Sequence, residues 1–380
     1  MSEANSVDLN KPSLGAYGSN MSKTLSERLM PGVPVIESML FDLSIDDMGL
    51  SNAERDIAVQ LRERGYAVFD FPDEDLDARI QRIIPTLTPH YPFDHWRERG
   101  WANNEGLRIQ DAWRHNDDIR AIACNQAVLD LLSKLYGRRA FPFQSLNFPV
   151  GTQQHYHSDS VHFSTIPERF MCGVWLALED IHPDAGPLQY YPGSHKWPIL
   201  YNDLIGKVVG EETEFLAQIP YEKAWEAMVE ATGVQPETFC AKKGQALIWT
   251  ANLLHGGSRQ RDPARTRWSQ VTHYYFDNCA YYTPAFSDPL AGNLDLRDIT
   301  DISTGEAVPN TYIDRPIGEV PRRGAGGPAL MMGGQTAPTQ LPDDFDPAGY
   351  LAINQDVSLA GIDPGVHYLA HGWAEKRRYR

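Results

Sequence analysis

The sequence predicts a mainly β fold, a double-stranded β-helix of the jelly-roll or cupin-like kind with flanking helices. Three observations carry this expectation. From residue 141 onward apolar side chains recur at every second position, the period of strands. Short turns rich in Gly and Pro, Pro192-Gly193-Ser194 and residues 256–263, break these runs into segments. Helical spacing is confined to stretches before and between them, so helices should lie outside the β core.

In chain order, residues 1–45 carry Ser, Asn, Pro and Gly with little periodicity and read as an irregular N-terminal arm, or a strap laid over the domain. Ser51 and Glu54 have the spacing of a capping box, Ile57, Ala58 and Leu61 follow on one helical face, and Gly65 stops the helix before a strand at 66–69. Residues 75–87 and 125–136 read as further helices, the latter with Val128, Leu131, Leu132 and Leu135 on one face. The stretch 91–113 is crowded with aromatics and with Arg97, Arg99 and Arg108, and reads as loops packed on the core. Strands are expected at 141–150, 170–178, 188–191, 245–251 and 265–276, with a helix at 221–232 closed by Gly233. In 170–178, Phe170, Cys172, Val174 and Leu176 form one face; Gly173 and Trp175 on the other would line a cavity or plug a packed interior. The main domain is therefore placed at 46–309, followed by a Gly/Pro-rich linker at 310–342 and a small helical module at 343–380.

At 380 residues the chain can bury a full core. Its 34 Lys and Arg against 50 Asp and Glu leave a net charge of −16, which disfavours nucleic acid and anionic membranes as partners. Neither a signal-peptide pattern nor an apolar run of membrane-spanning length occurs, and a cytoplasmic location is expected. Cys124, Cys172, Cys240 and Cys279 lack metal-site or disulfide-framework spacing and read as free thiols.

The chemistry is concentrated in residues 153–163, QQHYHSDSVHF, where His157 and Asp159 stand two positions apart. In an extended strand that spacing aims both side chains at one point. His255, at the end of the apolar run IWTANLLH, is the candidate third ligand. Two histidines and a carboxylate on one face of an ion suit non-heme Fe(II) and oxygen chemistry.

Around these residues the segments HSDSVHF, GVWLALEDIHPDAGPLQYYPGSHK, LLHGGS and TRWSQVTHYYF occur in order. Together they resemble the phytanoyl-CoA dioxygenase family of Fe(II)- and 2-oxoglutarate-dependent oxygenases, over roughly residues 50 to 290. The resemblance implies that His157, Asp159 and His255 bind iron, that Arg267 binds the distal carboxylate of 2-oxoglutarate, and that Trp175 lines the cosubstrate pocket. Three protein ligands would leave room for the 2-oxo acid and O2. Arginine suits the far carboxylate because its planar fork pairs both oxygens, and Arg265, on the same strand face, is the rival. His155 and His162 are expected to support the ligands or to be satisfied packing residues, and His195 and His273 to make structural hydrogen bonds. Ser160, Gln154 and Gln144 could reach the cosubstrate or substrate, but the sequence does not orient them.

The implied activity is hydroxylation of a small organic metabolite with release of succinate and CO2; with Asp159 in place, hydroxylation is favoured over halogenation. The alternative is a non-catalytic jelly-roll protein that binds carbohydrate. Residues 343–380 resemble a short helical motif of bacterial surface-polysaccharide glycosyltransferases, through Tyr350, Leu351, Val357, Tyr368 and Leu369. That module is read either as a tether to a protein partner in a glycan or lipid pathway, or as a cap on the barrel.

Overall fold

The protein is described here by a computed structural model covering residues 7–8, 23–94, 97, 108–209, 217–317, 340–342, 344–359, 362–369 and 377–379. Two compact units make up the chain, Met1–Ile317 and Gly318–Arg380.

The first unit is a jelly roll. Besides two short hairpins after residue 298, its strands are β1 (Val7–Asp8), β2 (Tyr66–Asp70), β3 (Ile109–Gln110), β4 (Ala140–Phe148), β5 (Ser164–Ile166), β6 (Met171–Ala177), β7 (Leu188–Tyr190), β8 (Glu237–Phe239), β9 (Gln245–Thr250), β10 (His255–Gly257), β11 (Ser269–Phe276) and β12 (Ala280–Tyr282). A large sheet runs β1-β2-β9-β6-β11-β4-β3, a smaller one β10-β7-β8, and β12 pairs with β5. All of these pairings are antiparallel except that of β1 with β2.

Every residue of β4, β6 and β11 is buried, because the large sheet is covered on both sides. The period of two therefore separates two cores rather than inside from outside. Cys172, Val174 and Leu176 pack outward with Ile57, Leu61, Ile83, Val128 and Leu132 of the helices. Trp175, Leu247, Trp249 and Val271 point inward, against Leu188, Tyr190 and Phe239 of the small sheet.

The helix Asn52–Arg64 forms where the sequence places it. Ser51 Oγ accepts from the Glu54 amide and Glu54 Oε2 from the Ser51 amide, and Gly65 ends the helix at φ 84°. Glu54 also pairs with Lys134 of the helix Gln126–Tyr136 at 2.8 Å, both side chains 7% exposed, which ties these two helices together behind the sheet. The helices Leu76–Leu87 and Ile219–Thr232 likewise follow their sequence patterns.

Two expectations need correction. Residues 23–45, read as part of an irregular arm, hold the short helices Leu25–Leu29 and Phe41–Ser44 and bury Val35, Ile36 and Phe41 in the outer core. They are too short to show a helical period, yet they belong to the packed unit. The stretch 265–276 is not one strand following a hairpin: β10 pairs with β7 and β11 with β4 and β6, so the chain crosses between sheets and enters the ladder only at Ser269. In the aromatic stretch, Tyr91 and Phe93 pack on Trp268, as core residues do; Arg99 lies outside the described residues.

At the end of the first unit, Tyr281 N donates to Asn310 Oδ1 at 2.7 Å and Thr311 N to Cys279 O at 2.9 Å, so the chain is still attached to the barrel beyond residue 309. Of the stretch expected to link the modules, residues 318–339 lie outside the described residues. The second unit holds the helices Pro347–Ile353, Gln355–Leu359 and Pro364–His367 around Tyr350, Val357 and Tyr368, with Phe345, Leu351 and Tyr379 packed against them. Among the described residues no helix is long and apolar enough to cross a membrane.

Gly65 and Gly233 provide a matched stability test. Both have positive φ, but a Cβ on Gly65 would lie 2.5 Å from His195 Nδ1, whereas none of the neighbours comes within 4 Å at Gly233. Gly65→Ala should lower unfolding free energy by about 2–4 kcal/mol and Gly233→Ala by about 1 kcal/mol, the first combining backbone strain with overpacking. Equal losses in denaturant melts would show that the His195 contact is immaterial.

Candidate active site

His157 and His255 are joined by a reciprocal pair of backbone hydrogen bonds, His157 N to His255 O at 2.9 Å and His255 N to His157 O at 3.0 Å. This bridge sets the imidazoles side by side, ring centroids 4.7 Å apart. Asp159 joins them differently from the sequence expectation. It does not continue a strand but opens the 3-10 turn Asp159–Val161, and the turn carries its carboxylate back to the histidines. Ser158 fixes that turn, accepting from the Ser160 amide and donating to Asn252 Oδ1.

The ligand atoms of His157, Asp159 and His255 lie within 4.8 Å of one another, all three residues buried. His157 Nε2 is 3.7 Å from Asp159 Oδ1 and His255 Nε2 is 3.8 Å from Asp159 Oδ2. Each histidine has its Nδ1 against the carbonyl two residues before it, His155 O at 2.9 Å and Leu253 O at 3.0 Å. An Nδ1–H donated to a carbonyl leaves Nε2 as the lone pair facing the cluster, which is the tautomer a metal needs. Burial, reinforced by the nearby His255, pushes His157 down to about 3, so the imidazole is neutral at physiological pH. Burial raises the Asp159 pKa, but the surrounding histidines and the Trp249 hydrogen bond outweigh it, and the carboxyl is held below its ordinary value. The neutral imidazole of His157 beside an ionised carboxylate, with His255 Nε2 facing the same point, can hold a divalent cation.

Sequence reasoning missed the support for this carboxylate. Trp249 Nε1 donates to Asp159 Oδ2 at 2.7 Å, and its ring lies 4.6 Å from that of His255. The indole has space only because residue 173 on the neighbouring strand is glycine: a Cβ there would fall 2.2 Å from Trp249 Cζ2. His273, expected to be a structural hydrogen-bonder, does bond Gln144 Oε1 at 2.8 Å, but its Nε2 also lies 3.7 Å from Asp159 Oδ2. Its place six residues after Arg267 on the last long strand was the available signal.

The flanking histidines hold a cover over the ligand loop. His155 Nε2 meets Glu226 at 3.1 Å and His162 Nε2 meets Gln218 at 3.1 Å, so the loop is tied on both sides to the helix Ile219–Thr232 and the residue that caps it. Tyr221 and Trp225 of that helix pack with Val161 and Leu254 beside the ligands.

Arg267 and Trp175 come together farther along the barrel. The register of β11 on β6 places His273 opposite Gly173, Val271 opposite Trp175 and Ser269 opposite Ala177, so the inward side chains run from the metal cluster towards Arg267. Arg267 is 3% exposed; its Nη1 donates to Gly186 O at 3.2 Å, its Nε has no partner among the described residues, and its guanidinium sits 5.9 Å from the Trp175 ring. Among the described residues no carboxylate pairs with it, and burial pushes its pKa down to about 10. The Trp175 indole N–H and the Ser269 hydroxyl are also buried without partners. Arg265, the rival, is exposed and pairs with Asp262 at 3.0 Å.

Residues 53–267 match the family model described as phytanoyl-CoA dioxygenase (PhyH). The chain belongs to this family. It is thus a non-heme Fe(II)- and 2-oxoglutarate-dependent dioxygenase that uses O2, and a buried His-Asp-His cluster suited to iron lies within the matched region. Among solved structures, the chain is similar to SnoN, a non-heme alpha ketoglutarate dependent epimerase from nogalamycin biosynthesis, at 18% identity over 60% of this chain and 85% of that one, with a TM-score of 0.44. SnoK, a carbocyclase of the same biosynthesis, matches at 14% identity over 66% and 94% with a TM-score of 0.46. EctD from S. alaskensis with bound Fe matches at 19% over 60% and 77%, TM-score 0.43. Superpositions this loose transfer neither a residue role nor a substrate.

Two PhyH-family variants test the cluster in one metal titration. Asp159→Ala should abolish stoichiometric Fe(II) binding in a folded chain. Gly173→Ala, which touches no ligand, should weaken Fe(II) binding roughly tenfold by displacing the Trp249 indole, in line with the 10–100-fold effect of supporting groups at metal sites. Wild-type affinity in Gly173→Ala would remove Trp249 from the site's design.

Proposed function

We propose that this PhyH-family dioxygenase hydroxylates an unactivated C–H bond of a small organic metabolite, coupled to conversion of 2-oxoglutarate to succinate and CO2. His157, Asp159 and His255 hold the iron, and Arg267 takes the distal carboxylate of 2-oxoglutarate, with Trp175 lining the same pocket. Iron bound there supplies oxygen activation. The observation that carries the assignment is the buried guanidinium of Arg267, with no carboxylate among the described residues to neutralise it, on the inner face that leads from the metal cluster. A cation so placed favours an anionic ligand, and the unpaired N–H of Trp175 and hydroxyl of Ser269 add donors beside it.

The remaining residues orient and exclude. Trp249 holds the Asp159 carboxylate in place, the carbonyls of His155 and Leu253 hold the imidazoles, and the helix Ile219–Thr232 keeps water from the ligand loop. The presence of Asp159 supports hydroxylation over halogenation, which needs that position for halide. A sugar-binding barrel without catalysis, the alternative raised by the sequence, has no observation in its favour. We further assign catalysis to the first unit alone and read the C-terminal module as a separate domain joined by a linker, in a cytoplasmic protein.

Arg267→Ala should raise the 2-oxoglutarate requirement about thirtyfold or more, the lower end of the loss when one partner of a buried charge pair is removed, with little change in Fe(II) binding. Arg265→Ala should leave both unchanged; the reverse pattern would transfer the role to Arg265. A chain ending at Ile317 should keep wild-type iron binding and 2-oxoglutarate turnover. If turnover is lost together with a drop in melting temperature, the C-terminal module is a structural cap and the separate-domain reading fails.

A further inference from the structure

A second arginine near the metal cluster has no counter-charge among the described residues. Arg297 follows β12, and its guanidinium lies 4.9 Å over the ring of Phe163, four residues after Asp159. Its Nη1 donates to His162 O at 3.4 Å and to Thr283 Oγ1 at 3.2 Å. Among the described residues Nε is buried without a partner, both hydrogen bonds of the guanidinium leave from Nη1, and no ion pair to a carboxylate is formed. One planar edge of the guanidinium, Nε with Nη2, is thus uncommitted.

Tyr275 supplies a second and independent sign. It is fully buried near the far end of β11, and its hydroxyl has no hydrogen-bond partner among the described residues. The positive charge of Arg297 reaches this hydroxyl and the His273 ring, and the negative charge of Asp159 reaches the same hydroxyl. Aromatic rings connect the two: Phe143 stacks on Tyr275 at 3.9 Å, Phe163 meets Phe143 at 5.7 Å, and Phe163 meets His273 at 5.2 Å. Two donors buried without acceptors are unfavourable in a finished core, and they share a wall with a catalytic cluster. Arg267 precedes β11 and Tyr275 stands near its far end, with His273 between, so this donor pair is separate from the pocket proposed for the cosubstrate.

We infer that the substrate carries a carboxylate, held by the Nε/Nη2 edge of Arg297 and the hydroxyl of Tyr275, with its carbon frame against Phe143 and Phe163. A carboxylate is the group whose two coplanar oxygens match the free fork edge, and Tyr275 provides a further donor to one of them. The inference rests on the oxygenase reading above and deepens it by naming the substrate class.

The test uses the full chain loaded anaerobically with Fe(II) and 2-oxoglutarate, followed by the metal-to-ligand absorption band. The probes are phenylacetate and 3-phenylpropionate, each paired with its primary amide. The acids should perturb the band and bind at least about thirtyfold more tightly than the amides, as expected when a buried cation loses its partner. Arg297→Gln should erase this difference while the affinity for 2-oxoglutarate stays at the wild-type value; Arg297→Lys should restore part of it, and Tyr275→Phe should weaken the acids several-fold. Acids and amides binding alike to the wild type, or an acid preference that survives Arg297→Gln, overturns the proposal. Loss of the 2-oxoglutarate band in Arg297→Gln also overturns it, by making Arg297 a cosubstrate ligand. A wild-type chain that forms no band at all fails a different claim, the iron and 2-oxoglutarate reading itself.

Discussion

Everything at this centre depends on two backbone hydrogen bonds, those that pair His157 with His255. They join a loop to an edge of the small sheet and, together with the bond from Gly257 N to Gln154 O at 3.1 Å, fix the ligand loop against β10. A reciprocal pair fixes both distance and orientation, so the imidazoles are neighbours before any ion arrives. The carbonyls behind each ring then set the tautomer. Pre-organisation of this kind comes from main chain, which side-chain substitution disturbs little.

The carboxylate depends on a longer chain of contacts. Asp159 is steadied by an indole from β9, and that indole needs a glycine on β6. Three separate segments of sequence thus cooperate on one oxygen atom, and the adjacency of β6 and β9 in the large sheet is what makes the arrangement possible. The jelly roll contributes more than a container: its strand order decides which side chains stand beside the cluster.

Much of this was legible in the sequence wherever the signal was local. The cap formed by Ser51 and Glu54, the stop at Gly65 and the spacing of His157 and Asp159 are short-range patterns, and the chain follows them. The geometry behind the last pattern was not legible: alternation along a strand was expected, and a bridge followed by a tight turn performs the convergence instead. The same assumption put Arg265 and Arg267 on one strand face, whereas the ladder begins after both, at Ser269, leaving Arg265 in a turn with Asp262. Trp249 and Gly173 carried no separate signal, because each reads as an ordinary member of an apolar run until the strands are laid side by side. Arg297 and Tyr275 stayed invisible for a related reason: an unsatisfied donor is a property of surroundings, not of spacing.

The lone guanidinium of Arg267 has a consequence for the protein as a whole. A cation kept from water without a counter-ion makes the fold bear an electrostatic cost, and an anion that reaches it relieves that cost in the folded chain only. Ligand binding and folding are then two views of one equilibrium. Once such an anion exceeds its dissociation constant, each further tenfold rise in its concentration adds about 1.4 kcal/mol to the resistance against unfolding. The folded population of the chain would then rise with the supply of any anion that binds there.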